Sequence, residues 1–149
     1  MPLQVELVSP ERILYSGEAE MVIARTVGGG DIAFLPGHAP FVGALEVATV
    51  TIRSNGPTGT TDELIAVHGG FVEVSVSASG EAPASDGDGG PVTTVTILSD
   101  AAERAGDIDA EAARRAKEAA EEKLRHGHDA EAEAEARRAH VRLTVAGAA

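Results

Sequence analysis

The chain has 149 residues, a net charge of −12 at pH 7 and no cysteine. The missing thiols exclude disulfides, thiolate metal sites and cysteine nucleophiles, and the acidic balance argues against a nucleic-acid partner. No apolar run approaches the roughly 18–20 residues that a membrane-spanning helix needs, and the first residues lack the basic and apolar regions of a signal peptide. We therefore expect a soluble chain that reaches a membrane only through another protein.

Residues 1–100 show the pattern of short, half-buried strands. Apolar and polar residues alternate in Leu3–Leu7, and in Ala48–Arg53 the apolar side chains share one face. Leu64–Val67 and Phe71–Val76 are predicted as two strands joined by a Gly-Gly pair. Many short strands with no helical period between them predict an antiparallel sandwich or barrel.

A stiff loop lies within this region, in Gly30–Phe41 (GDIAFLPGHAPF). Ile32–Leu35 is predicted as a short strand, and the prolines and glycine after it favour a rigid, non-helical bend. His38 lies on this bend with no carboxylate near it in the sequence. Because loops on rigid scaffolds often carry function, we interpret His38 as a contact or packing residue rather than a base.

The composition changes after the strands. Ser77–Pro91 is small, polar and rich in glycine, which predicts a flexible insertion within a hairpin. Residues 101–108 are predicted as a linker, and residues 109–149 as an antiparallel helical hairpin. Each helix carries a stripe of three alanines and one leucine at helical spacing: Ala113, Ala116, Ala120 and Leu124, then Ala132, Ala136, Ala139 and Leu143.

The hairpin is expected to be only conditionally stable. Asp107 or Asp109 can cap the first helix, but the small side chains bury little apolar area and helices of this length are marginal alone. Two interpretations stay open. The hairpin is either a movable element that needs a surface on which to dock, or a permanently docked, alanine-rich tail.

Four segments, in order, resemble the epsilon subunit of F-type ATP synthases. They are Val5–Gly17, the run GDIAFLPGHAP in Gly30–Pro40, the run VHGGFVEV in Val67–Val74, and Val95–Ala102 leading into Ile108-Asp109. The resemblance covers nearly the whole chain apart from the insertion. It implies an N-terminal antiparallel β-sandwich followed by a C-terminal antiparallel α-helical hairpin, the fold of the bacterial epsilon subunit and of the equivalent mitochondrial delta subunit.

The resemblance also implies a function, partners and a location. The chain would be a non-catalytic rotor subunit of the central stalk that binds the gamma subunit and the c-ring and couples proton flow to ATP synthesis. It would lie at the cytoplasmic face of the bacterial plasma membrane, held there by the complex. Asp31 matches an acidic position that faces the c-ring, and Ser9 and His38 match positions that contact gamma. The hairpin would switch between docking on the sandwich and reaching the catalytic alpha and beta subunits to inhibit ATP hydrolysis.

The cations of the hairpin have two interpretations. They are either solvated faces held by glutamates along the same helix or, as the resemblance implies, contacts to acidic segments of the catalytic subunits in the extended state. The candidate residues are Arg114, Arg115, Lys123, Arg137, Arg138 and Arg142.

Some members of the family bind ATP on the hairpin through the motif Ile/Leu-Asp-x-x-Arg-Ala. The matching run begins at Ile108-Asp109 but has Ala112 at the arginine position, which removes the planar cation suited to phosphate. Arg114 and Arg115 lie close by and could partly substitute. We nevertheless expect no cofactor.

A second hypothesis belongs to a different class. A small β-domain enzyme or metal-binding module could use His38 and His68 together with acidic side chains. The sequence contains no P-loop and no recognisable Ser-His-Asp arrangement. The rotor subunit is therefore the preferred interpretation, with no catalytic residue and no metal ligand predicted.

Overall fold

The computed structural model describes residues 3–77 and 91–148. Within them the chain forms eight β-strands, a 3₁₀ turn and two α-helices. The strands are β1 (Leu3–Val8), β2 (Ile13–Ala19), β3 (Met21–Thr26), β4 (Gly30–Phe34), β5 (Phe41–Gly56), β6 (Gly59–Ser77), β7 (Val92–Leu98) and β8 (Ala102–Arg104). The 3₁₀ turn covers Ala105–Asp107, and the helices are α1 (Ala110–Arg125) and α2 (Ala130–Val145). The predicted flexible insertion lies outside the described residues except for its two ends.

The strands form an open sheet that folds over one core, which is mostly aliphatic and includes the buried Phe34. Their order is β2-β1-β7-β6-β5-β3-β4, with β8 paired to β6, and each strand from β1 to β7 contributes buried side chains to the core. The β-sandwich is therefore confirmed, but one pair departs from the antiparallel prediction. Strands β1 and β7 run parallel, which is possible because the long intervening chain provides the connection that a parallel pair requires.

The Gly-Gly pair does not separate two strands, so that prediction was wrong. Strand β6 runs without a break through Gly69 and Gly70, whose φ angles are +85° and +137°. Before the pair Ile65 and Val67 point into the core, and after it Val72 and Val74 do. Because side chains alternate along a strand, this five-residue step from Val67 to Val72 reverses which face of β6 is buried. The β5–β6 hairpin can therefore contribute to both layers of the sandwich.

The predicted linker over residues 101–108 is partly ordered as a strand. Strand β8 pairs with β6, with Arg104 opposite Ile65 and Ala102 opposite Val67. Ala102 also packs against the core. The sequence Ala-Glu-Arg has no apolar alternation that would predict a strand, so its pairing with β6 is a tertiary effect.

The antiparallel helical hairpin is confirmed, and the cap of α1 is one of the two residues expected. The carboxylate of Asp109 accepts a hydrogen bond from the Ala112 backbone N–H at 3.0 Å, and Asp129 caps α2 in the same way. Four of the predicted stripe alanines and Leu143 are buried, whereas Ala116 is exposed. Neither helix, within the part of the chain that the structure describes, is long and apolar enough to cross a membrane.

Helix α2 also buries a second face that the alanine stripe did not predict. Val141 and Val145 pack against Ala66 of β6, with Val47, Leu64 and Ile108 around them. These two valines lie on the side of α2 roughly opposite Ala139 and Leu143, as about 100° per residue requires. The hairpin is thus docked on the sandwich through α2.

Candidate functional site

An apolar row crosses the outer face of the sandwich on five adjacent strands. Its residues are directly paired from one strand to the next, and we call them the outer row: Ala44, Phe71, Leu98, Val8 and Ile13. With about 4.8 Å between strands, the row is about 19 Å long. Phe71, Leu98 and Ile13 are 59%, 51% and 66% exposed, so the row is an uncovered surface.

Local geometry explains why these side chains remain outside. On β6 and β7 the alternate positions Val72, Val74, Val95 and Ile97 are buried in the core, which directs Phe71 and Leu98 outward. Between β1 and β2 a bulge places both Leu14 and Tyr15 against the core. The bulge leaves Ile13 on the outer face opposite Val8.

Ser9 directly follows Val8, the residue of β1 that belongs to the outer row. It lines a groove of about 300 Å³ together with Phe71, Leu98 and five other residues. Its hydroxyl donates to the Arg12 carbonyl at 3.2 Å and accepts from the Arg12 backbone N–H at 3.3 Å. The turn after β1 therefore holds Ser9 beside the outer row.

His38 lies near the start of β7, away from Ser9. The backbone N–H of Gly37 donates to the Thr93 hydroxyl at 2.8 Å, which anchors the loop near the start of that strand. The His38 ring packs edge-on against Phe34 and Phe41, with centroids 5.0 and 6.2 Å away. Its Nδ1 lies 2.7 Å from the Ala39 carbonyl oxygen. These contacts agree with the packing interpretation of the ring.

Ser9 and His38 are therefore not neighbours. One exposed residue lies between the outer row and the loop that carries His38. Val42, 72% exposed, lies on the outer face two residues before Ala44 and next to Phe41. The apolar surface therefore continues along β5 towards His38. A partner that contacts both Ser9 and His38 must cover this whole face.

Asp31 has a partner that the sequence did not indicate. Its two carboxylate oxygens accept from Nε and Nη2 of Arg25 at 3.0 and 3.2 Å, across the β3–β4 pair. Both side chains are about half exposed. The position therefore presents a solvent-exposed ion pair rather than an isolated negative charge.

The six candidate cations of the hairpin divide into groups. Arg114 pairs with Glu111 one turn away, and Arg142 pairs with Glu103 of the sandwich at 2.7 Å. Among the residues that the structure describes, the remaining four have no ion pair: Arg115, Lys123, Arg137 and Arg138. In the docked hairpin only Arg142 therefore bridges to the sandwich among the described ion pairs.

The candidate nucleotide-binding residues make separate local contacts. Ile108 packs against the cluster beneath α2, Asp109 caps α1, Arg114 pairs with Glu111 and Arg115 is exposed. The structure therefore does not bring these four residues together into one cradle.

A polar cluster that sequence reasoning missed joins the hairpin to the sandwich. Oε2 of Glu103 accepts from Arg142 Nε at 2.7 Å and from His68 Nε2 at 3.1 Å. Burial lowers the pKa of His68, and the positive charges of Arg142 and Arg138 lower it further, against the opposing effect of Glu103. Burial alone would raise the pKa of Glu103, but its hydrogen bonds from Arg142 and His68 outweigh burial and lower it.

The alternative metal-site hypothesis finds no support in this geometry. His68 faces Glu103 and Arg142, whereas His38 packs on two phenylalanines. The described residues contain no group of three or more His, Asp or Glu side chains placed to hold a metal ion.

Comparisons with known proteins agree with the fold. Residues 2–78 match the family described as "ATP synthase, Delta/Epsilon chain, beta-sandwich domain", and residues 107–147 match "ATP synthase, Delta/Epsilon chain, long alpha-helix domain". The ATP synthase epsilon chain of Halalkalibacterium halodurans is 39% identical, over 97% of each chain. That of Streptomyces griseus is 43% identical, over 95% of this chain and 92% of its own.

A solved structure supports the architecture. A chain of the Euglena gracilis mitochondrial ATP synthase OSCP/F1/c-ring structure aligns with 99% of this chain and 78% of its own length. The TM-score is 0.61 at 20% identity, which shows a shared fold. The family matches and the relatives show that the chain belongs to the delta/epsilon family of ATP synthases. It is an epsilon chain, a non-catalytic subunit of that complex.

Proposed function

We propose that this chain is a rotor subunit of the central stalk, anchored by its sandwich to the gamma subunit and the c-ring. In this position it couples proton flow to ATP synthesis at the cytoplasmic face of the bacterial plasma membrane. The observation that carries the proposal is the outer row, an apolar surface that stays uncovered when the hairpin is docked. Contiguous exposed apolar surface on a soluble domain marks an interaction site.

The outer face suits the gamma subunit better than a small ligand. The row is about 19 Å long and continues through Val42 towards His38, with Ser9 beside its groove. A flat apolar strip with polar residues at its edges is the usual composition of a protein interface. Glu6 and Glu73 lie on the same face next to the row and supply that polar edge.

The c-ring contact is proposed at the β3–β4 end of the sandwich. Asp31 and Arg25 are exposed there as a pair. Each can exchange its partner for a charge of the c-ring's polar loop, since an exposed pair contributes little to stability by itself.

The hairpin is proposed as the regulatory element that inhibits ATP hydrolysis when it extends to the catalytic subunits. Its apolar contact with the sandwich centres on Val141 and Val145 of α2. Their burial supplies about 3–4 kcal/mol, which partner contacts of ordinary size can replace. Extension would release Arg142 to join Arg115, Lys123, Arg137 and Arg138 as free cations. We propose no nucleotide ligand, because Ala112 provides no phosphate-binding side chain.

The anchor is tested by adding one charge to the outer row. Phe71→Glu should weaken binding to an ATP synthase stripped of its epsilon subunit by at least about tenfold, because a carboxylate would be buried against apolar partner atoms. Thr60→Glu, at an exposed position at the other end of β6, is the matched control. Both variants should keep the wild-type melting temperature, since both sites are exposed. Equal binding by the two variants would show that the row is not the anchor.

A further inference from the structure

We infer that His68, Glu103 and Arg142 form a latch that holds the helical hairpin on the sandwich and that opens as the pH falls. The latch is a property of the chain by itself. Its regulatory consequence rests on the proposed function, in which the released hairpin is the inhibitory form.

The three latch residues come from three different elements. His68 is on β6 and Glu103 on β8, both in the sandwich, whereas Arg142 is on α2. A single carboxylate oxygen, Glu103 Oε2, accepts from both partners. Among the ion pairs of residues 3–77 and 91–148, Arg142–Glu103 is the one that connects a hairpin helix to a sandwich strand. The latch lies beside the apolar contact of Val141 and Val145, so both parts hold the same helix.

The His68 ring is compatible with the docked hairpin only when it is neutral. Its side chain is 4% exposed, Nε2 donates to Glu103, and Nδ1 is buried without a hydrogen-bond partner among the described atoms. Protonation would place an unpaired N–H at Nδ1, which is costly in a buried site. The charges that face the ring are Glu103 from β8 and Arg138 and Arg142 from α2, while its β5 neighbour is the uncharged Val47.

Release of the hairpin removes the effects that disfavour a protonated His68 ring. It removes α2 with both arginines, and Glu103 stays on the sandwich beside His68. A protonated His68 can then replace Arg142 as the cationic partner of Glu103. The released state therefore binds a proton at His68 more tightly than the docked state does, because burial and the two arginines lower the docked pKa.

The sign and size of the pH effect follow from this difference. The pKa of His68 in the docked state is below the ordinary histidine value of about 6.5. Docking is therefore most stable when the pH is above that value, and it weakens as the pH falls through it. Between pH 7.5 and pH 5.5 a single such group changes the docking equilibrium by up to about tenfold. Above pH 7.5 the latch residues should give no further change.

Amide hydrogen exchange on the full chain tests the latch. We would measure protection factors, relative to intrinsic rates at the same pH, for α2 and for the sandwich strands at pH 7.5 and 5.5. Arg142→Met keeps the aliphatic stem and should lower α2 protection about tenfold, without affecting the sandwich. Arg53→Met is the matched control, since it breaks the pair with Asp62 within the sandwich. The latch is refuted if Arg142→Met changes α2 protection no more than Arg53→Met does.

The role of His68 has its own readouts. His68→Gln keeps a donor towards Glu103 and should remove the pH dependence of α2 protection. NMR titration of the wild-type ring should give a pKa below the ordinary value, rising towards it in Arg142→Met. A wild-type ring that titrates at or above the ordinary value would overturn the pH-dependent part, as would unchanged pH dependence in a folded His68→Gln. These measurements use the chain alone, so they stand whether or not it binds the synthase.

Discussion

Shortening Val145 should loosen the hairpin without affecting the sandwich. The Val145 side chain is 5% exposed and packs with Val141 against Ala66. Val145→Ala removes two carbons from this contact, and large-to-small changes in packed sites of this size cost about 2 kcal/mol. At 1.36 kcal/mol per factor of ten, docking should weaken by about thirtyfold.

Hydrogen exchange of α2 amides in the full chain measures this loss. Helices as short as α1 and α2 are marginal when they are isolated, so their amides should exchange rapidly once the hairpin leaves the sandwich. Val42→Ala makes the same chemical change at a side chain that is 72% exposed, and should leave α2 protection unchanged. If Val145→Ala lowered the protection of α2 and of the sandwich equally, the hairpin and the sandwich would unfold as one unit. The interpretation of the hairpin as a movable element would then be wrong.

The remaining predictions concern the sheet, the latch and the nucleotide. Gly70→Ala should destabilise the sandwich by about 3 kcal/mol, seen in chemical denaturation, because the new Cβ would clash with the Leu98 carbonyl oxygen at a φ of +137°; an unchanged unfolding midpoint would contradict this. In reconstituted synthase, Glu103→Gln should increase the inhibition of ATP hydrolysis, because it releases the hairpin and keeps its cations; unchanged or weaker inhibition would separate the latch from regulation. ATP at millimolar concentration should leave α2 exchange unchanged, and added protection would show a nucleotide site.

The local features of the fold could be predicted because short-range chemistry determines them. Alternation within Ala48–Arg53 placed Val50 and Ile52 on one face of β5, and both are buried in the core. The capping role of Asp109 followed from its position before an alanine-rich helix. In both cases the prediction needed only residues that are close together in the sequence and whose structural preferences are known.

Most of the missed features depend on which segments pair or pack together in the folded chain. The face reversal at Gly69-Gly70 could have been found from the five-residue step between the apolar pairs on either side, whereas β8 forms only because β6 is available to pair with it. Arg25 as the partner of Asp31 follows from the β3–β4 register. The Glu103–Arg142 pair joins residues 39 positions apart, and no local pattern indicates such a contact.

The sandwich is proposed as the anchor and the hairpin as the inhibitory element, and one reconstitution tests this division most directly. The full chain and a version ending at Ile108 would be added to an ATP synthase stripped of its epsilon subunit, with binding and ATP hydrolysis both recorded. The shorter version keeps every buried residue of the sandwich core, so it should fold. We predict that both versions bind with similar affinity and that only the full chain inhibits hydrolysis. Failure of the shorter version to bind, or equal inhibition by both, would contradict the account.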